Sequence, residues 1–195
     1  MTDQIKIDPF IQNILDETAQ VIGQIGPCCG SSIEEAAVHI IQAFRGGRKL
    51  LICGNGGSAA DSQHIAAEMV VRFQKERTGL PAVALTTDTS ILTACSNDYG
   101  FEHVFEKQVE ALGREGDVFM GLSTSGTSEN IILAMKKAKS KGLFCIAMRG
   151  EKQGPLDKTA DVSIGIPSQI TARVQEGHLV VAHILCDMVE QRMFP

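Results

Sequence analysis

The sequence has no block of basic residues, and its formal net charge is −5. A nucleic-acid surface is therefore not signalled, and no nucleic-acid partner is expected. A small anionic ligand stays open, because backbone N–H groups and hydroxyls bind phosphate without net positive charge. No apolar run approaches the roughly 20 residues of a membrane span, so no membrane association is expected. The opening MTDQIKIDPF has no basic stretch followed by an apolar one. That argues against a secretory leader and for a cytoplasmic location. The six cysteines form no Cys-x-x-Cys pair. Cys53, Cys145 and Cys186 sit inside apolar runs, where a thiol behaves as a small hydrophobe. A reducing compartment without a disulfide framework is expected. The adjacent Cys28 and Cys29 read as loop filler.

What is present describes an ordinary globular chain. Hydrophobic residues make up 44% and charged residues 21% of 195 positions. That suits one domain with a sizeable core. No internal repeat, low-complexity tract or second domain is visible. Residues 1–195 read as a single unit, with N-terminal helices over 1–45 and an α/β core with a closing helix over 46–195.

Two helical patterns come first. Phe10, Ile14, Ala19, Val21, Ile22 and Ile25 follow one helical spacing, and Gly26-Pro27 predicts its end. Ser31 to Phe44 predicts a second helix, opened by serines and acidic residues and closed by Gly46-Gly47. This helix pair exceeds what a sheet needs, and its apolar faces fit either the sheet or a second copy of the chain. Strands and helices then alternate. Strands are predicted at 49–53, 82–85, 117–122, 143–148 and 162–166. Helices are predicted at 58–73, 91–95, 101–112, 128–141 and 171–193. Continuous apolar strands alternating with helices argue for a parallel sheet covered on both faces.

Ligands of parallel α/β sheets sit beyond the carboxyl ends of the strands, and two such ends carry unusual loops. Gly54-Asn55-Gly56-Gly57-Ser58-Ala59 lets the backbone turn sharply and approach a ligand, with helix N–H groups behind it. It also matches a loose dinucleotide fingerprint, for which the only acidic partner is the late Asp88. A tight turn without a ligand is the plain alternative. Ser123-Thr124-Ser125-Gly126-Thr127-Ser128 places five hydroxyls at a helix N-terminus, a neutral cradle for phosphate. It lacks the lysine of a nucleotide-hydrolysing loop. The plain alternative is a cap and turn.

Three further places carry chemistry. His64 and Glu68 share one face of a largely apolar helix. They could serve a metal or proton transfer, although such a spacing also suits a surface contact. On the last helix Gln175 and His183 share a broad face, and His183 sits among Val180, Val181, Ala182, Ile184 and Leu185. A satisfied core histidine fits that setting as well. The segment Ser96-Asn97-Asp98-Tyr99-Gly100 offers Asn97 and Asp98 to sugar hydroxyls, or is an Asn/Asp turn.

Taken in order, these motifs resemble the sedoheptulose 7-phosphate isomerases of the sugar isomerase (SIS) domain superfamily, over essentially the whole chain. The resemblance implies a flavodoxin-like three-layer sandwich with a five-stranded parallel sheet and an N-terminal helix pair. It implies a homotetramer with sites where subunits meet. The implied reaction converts D-sedoheptulose 7-phosphate to D-glycero-D-manno-heptose 7-phosphate, toward lipopolysaccharide precursors. By position, Glu68 and His183 match the catalytic acid/base pair. His64, Glu68, Gln175 and His183 match the zinc ligands of some members. Asn55, Gly56, Gly57, Glu68, Asn97, Asp98, Ser123, Thr124, Ser125, Ser128 and Gln175 match substrate contacts, and Arg72 a further position near the site. Other stretches, among them Arg72-Phe73, Leu92-Thr93-Ala94 and Phe194-Pro195, are similar to a non-catalytic SIS scaffold, the DnaA initiator-associating protein. The alternative expectation is therefore a binding partner of the replication initiator DnaA.

Overall fold

The computed structural model describes residues 8–195; most of the segment read for a leader lies outside them. A long first helix, α1 (Pro9–Arg45), is followed by β1 (Leu50–Gly54), α2 (Gly57–Val70), β2 (Ala82–Ala84) and α3 (Thr89–Asp98). A 3₁₀ turn (Phe101–His103) then leads into α4 (Val104–Leu112), β3 (Val118–Ser123) and α5 (Glu129–Ser140). The chain ends with β4 (Phe144–Arg149), β5 (Val162–Gly165) and α6 (Thr171–Met193). The five strands run in the order β2-β1-β3-β4-β5 and every pairing is parallel. This is the flavodoxin-like order, and the chain reverses its direction of winding between β1 and β3.

Alternation along each strand divides the core into two layers. Leu50 and Ile52 of β1, Val118, Met120 and Leu122 of β3, and Ile146 and Met148 of β4 face a cluster shared with α1, α2 and α6. Leu51 and Cys53, Phe119, Cys145 and Ala147 face the opposite cluster, shared with α4 and α5. All these side chains are essentially inaccessible, which is why the strands read as continuous apolar runs.

The expected N-terminal helix pair is one helix. Pro27 lies inside α1 and does not end it. An internal proline costs a helix about 3 kcal/mol. Ile25 and Ile33 flank it and are fully buried, each contributing about 2 kcal/mol, so packing wins. Gly26 helps, because a residue without Cβ removes part of the clash that drives pre-proline positions out of the helical region. Cys28 and Cys29 are consequently helical and not loop filler. Cys28 is exposed, while Cys29 is buried and donates its thiol to the Gly165 carbonyl at 3.0 Å. Asn97 and Asp98 likewise belong to α3. The helix begins at an Asp88 cap, whose carboxylate accepts the Ile91 N–H at 2.9 Å, and the chain turns only at Gly100, where φ is +101°. Asp88 is thus occupied as a cap.

Candidate active site

The loops after β1 and β3 stand at the point where the strand order reverses, the crevice where open α/β sheets hold ligands. In the first loop Gly56 has φ +54°, a conformation that glycine adopts without penalty. It precedes α2 without capping the helix by a side chain, so the first N–H groups of α2 face the turn. Gly57 marks a close approach of another kind. A Cβ there would meet the Gln175 side-chain amide nitrogen at 2.3 Å. The first turns of α6 therefore lie directly on the glycine turn.

The second loop is a hydroxyl network. Ser123 Oγ and Ser128 Oγ are 2.8 Å apart, and Ser125 Oγ and Thr127 Oγ1 are 2.9 Å apart. Ser128 occupies the N-cap position of α5, yet its hydroxyl makes no capping bond and turns to Ser123 instead. The N–H groups at the start of α5 are left for another acceptor. Asn55 and Asn130 exchange amide hydrogen bonds at 2.9 and 2.8 Å, which ties the glycine turn to the first turn of α5. Beside the serine loop opens a cavity of about 240 Å³, lined in part by Thr124, Ser125, Lys152 and Ser168. A second, of about 310 Å³, is bounded by Asn55, Phe101, Glu102, Ser128, Glu129 and Asn130.

The third group lies further along α2, about 10 Å from the glycine turn at 1.5 Å per residue. His64 Nε2 is 3.0 Å from His183 Nε2 and 3.5 Å from Glu68 Oε1. An imidazole nitrogen donates only when protonated, so one ring carries its proton there and the other accepts. Phe73 packs on His183 with ring centroids 5.5 Å apart. Glu68 is 22% exposed and His64 43% exposed, so both are open to an incoming molecule. Among the described residues no three His, Cys, Asp or Glu side chains already surround a single point. The donors approach one another in pairs, with His64 common to both.

Other expected residues stand apart from this grouping. Asn97 Nδ2 donates to Asp98 Oδ1 at 2.8 Å, and both are exposed. Neither hydrogen-bonds to the serine loop. Arg72 lies beyond α2, exposed, with Glu76 at 3.8 Å. Exposed pairs of that kind contribute little.

Several residues at the site were not foreseen. Asp61 lies on the same side of α2 as His64, at the helical spacing that could have singled it out. Its Oδ2 is buried without a hydrogen-bond partner. Burial pushes the Asp61 carboxyl above its ordinary range, and the charge of His64 counteracts this. Arg149 and Asp157 form a nearly buried ion pair that holds the segment after β4 over the serine loop. There Gly150 N–H donates to the Thr124 carbonyl at 3.1 Å and Leu156 N–H to the Gly126 carbonyl at 3.3 Å. His178 is the core histidine of α6, a reading that His183 had also allowed. It is fully buried, with Nε2 3.2 Å from the Arg149 carbonyl. A carbonyl only accepts, so Nε2 carries the proton. Burial pushes the His178 pKa down to about 4, with the Arg149 carbonyl opposing the shift.

Comparison with known proteins shows the family. A family model described as the SIS domain matches residues 15–150, so the fold is that of a SIS domain. The phosphoheptose isomerase of Roseiflexus sp. strain RS-1 is 56% identical over 158 residues, 81% of this chain and 80% of that protein. That of Geotalea daltonii is 49% identical over 184 residues, 94% of this chain and 96% of its own. The solved structure of phosphoheptose isomerase GmhA from Neisseria gonorrhoeae superposes with a TM-score of 0.89 at 42% identity, covering 94% of this chain and 98% of that one. The chain belongs to the phosphoheptose isomerase family of SIS-domain proteins.

Proposed function

We propose that this protein is a phosphoheptose isomerase that converts D-sedoheptulose 7-phosphate to D-glycero-D-manno-heptose 7-phosphate. The observation that carries this reading is the approach of Glu68 and His183 to the same imidazole, His64, on a fold whose serine loop leaves helix N–H groups and hydroxyls free for a phosphate. The ketose has its carbonyl at C2, and the aldose has it at C1. Glu68 removes a proton from C1 while His183 protonates the C2 oxygen, giving the enediol. His183 then takes the proton from the C1 oxygen, and Glu68, open to solvent and with its proton exchanged there, protonates C2. Positioned acid/base groups of this kind contribute about 10²–10⁴-fold in rate. Ser123, Thr124, Ser125 and Ser128 hold the phosphate; Asn55, Gly56, Gly57 and Gln175 line the sugar; Asn97 and Asp98 meet its hydroxyls.

Zinc fits the donor set. Two ligands on one tetrahedral zinc stand about 3.3 Å apart, given bond lengths near 2.0–2.1 Å. The separations of 3.0 and 3.5 Å around His64 bracket that value. His64, Glu68 and His183 would hold the ion, which when bound would polarise the sugar oxygens; the Gln175 amide, the fourth donor that the resemblance implies, lies against Gly57 at the glycine turn. A chelator is expected to lower turnover and added zinc to restore it; full activity after metal removal would remove the ion from this account and leave the acid/base pair.

The product suits lipopolysaccharide precursor synthesis in the cytoplasm. No helix among the described residues is long and apolar enough to cross a membrane. A homotetramer is supported by Phe10, Ile11 and Leu15, which are exposed on α1, and by an apolar groove between α1 and α6 lined by Ile22, Ile33, Val180 and Ile184. The direct test is incubation of purified protein with sedoheptulose 7-phosphate and detection of the aldose. A scaffold for DnaA needs none of the three converging side chains. Capture of DnaA without aldose formation would replace the enzymatic reading.

A further inference from the structure

Outside the site, the most heavily bonded ionic group among the described residues joins α6 to the end of α2. Glu190 and Arg77 are 1% and 2% exposed, with Arg77 Nε 2.9 Å from Glu190 Oε1. The carboxylate also accepts the backbone N–H groups of Phe73, Gln74 and Lys75 at 3.1, 2.8 and 2.7 Å. Burial raises the Glu190 carboxyl, but these donors and Arg77 outweigh it and hold the group below its ordinary range. The other face of the guanidinium points to α2. Its NH2 group donates to the Glu68 carbonyl at 2.7 Å, and NH1 donates to the Met69 carbonyl at 2.8 Å.

Those two carbonyls belong to the last turn of α2, where helical acceptors have no partner within the helix. A buried pair is costly to maintain, and replacing it with apolar residues is often neutral or stabilising. Stability alone therefore does not account for its elaboration. Its contacts do account for it. One end fixes the backbone of Glu68, while the other fixes Phe73, whose ring packs on His183. Glu190 itself lies two turns beyond His183, on the same side of α6. One ion pair thus sets the relative placement of the carboxylate and the imidazole.

We propose that Arg77 and Glu190 are positioning residues, which act through the backbone of Glu68 and the ring of Phe73 to hold Glu68 and His183 in register for proton transfer. This rests on the isomerase reading. The test compares Arg77→Lys and Arg77→Met with the wild-type protein, by kinetics on sedoheptulose 7-phosphate and by thermal unfolding. Lysine keeps the charge opposite Glu190 but lacks the fork that reaches both carbonyls. Arg77→Lys is expected to keep most of the melting temperature and KM within about threefold, yet to lose about thirtyfold in kcat, since small misplacements of reacting groups cost rates of order 10². Arg77→Met is expected to lose both stability and kcat. An Arg77→Lys protein with wild-type kcat, or with kcat reduced only in proportion to its folded fraction, would overturn the proposal. A wild-type protein without isomerase activity would remove the enzymatic reading and this inference with it; an active wild type beside an equally active Arg77→Lys would remove the inference alone.

Discussion

Glu68 and Glu190 offer the same carboxylate to two regions joined by Arg77, and the regions treat it in opposite ways. Around Glu190 the acceptors are filled by three backbone N–H groups and a guanidinium, and the side chain is 1% exposed. Around Glu68 the neighbouring imidazole of His64 is 3.5 Å away, and the side chain is 22% exposed. Two histidines of α6 repeat the contrast. His178 is sealed against the Arg149 carbonyl, whereas His183 keeps a ring nitrogen toward His64. The carboxylate that holds the fold together is saturated, and the core histidine is shut away from solvent although its Nδ1 has no hydrogen-bond partner; the groups that do chemistry keep a route to solvent.

The sharpest way to break this contrast is to neutralise each glutamate. Glu68→Gln should lower kcat by about 10³-fold without moving the unfolding midpoint. Glu190→Gln should instead lower the unfolding free energy by about 3 kcal/mol, the cost of breaking one side of a buried pair. Kinetics and urea titration on both variants check this, and equal stability losses would erase the distinction.

The histidine contrast gives the next effect. His178 has its folded pKa near 4 against an ordinary value of 6.5. Above pH 6.5 it is neutral in both states and contributes no pH dependence. As pH falls from 6.5 toward 4, the unfolded chain binds a proton that the folded protein does not, so stability falls by up to about 3 kcal/mol. Below 4 the loss is complete. His178→Phe should flatten this part of the stability profile, and an unchanged slope between pH 6.5 and 4 would contradict the burial argument. The smallest effect concerns binding alone. Ser128→Ala should raise KM for the phosphorylated sugar about tenfold, the loss of one hydrogen bond to a charged group, with kcat nearly unchanged.

Much of the layout was legible because packing and periodicity pointed the same way. Every strand was visible as an apolar run; β1, β3 and β4 are buried on both faces, while the edge strands β2 and β5 keep one face partly open. His64 and Glu68 were visible through helical spacing, and the serine loop through its density of hydroxyls. The misses have physical causes. Local signals at Gly26-Pro27 predicted a helix end, but buried isoleucines on either side override a proline whose neighbour lacks a Cβ. The segment Ser96 to Gly100 read as a loop, offering Asn97 and Asp98 to sugar hydroxyls or to a turn, but the Asp88 cap and the buried Cys95 carry α3 on to Asp98. Arg77 and Glu190 could not be paired, because they are far apart in sequence and each alone resembles an ordinary surface charge. The same holds for Arg149 and Asp157, which meet only once β4 and the segment after it are in place.

The claim on which the account turns is that Glu68 and His183 move a proton between neighbouring carbons of a phosphorylated ketose. The measurement that tests it most directly is incubation with sedoheptulose 7-phosphate in D₂O, followed by NMR of the sugar. The account predicts an aldose 7-phosphate carrying deuterium at C2, formed by the wild-type protein and not by Glu68→Gln. Aldose formed equally by both proteins, or no aldose from a folded wild-type protein supplied with zinc, would contradict it.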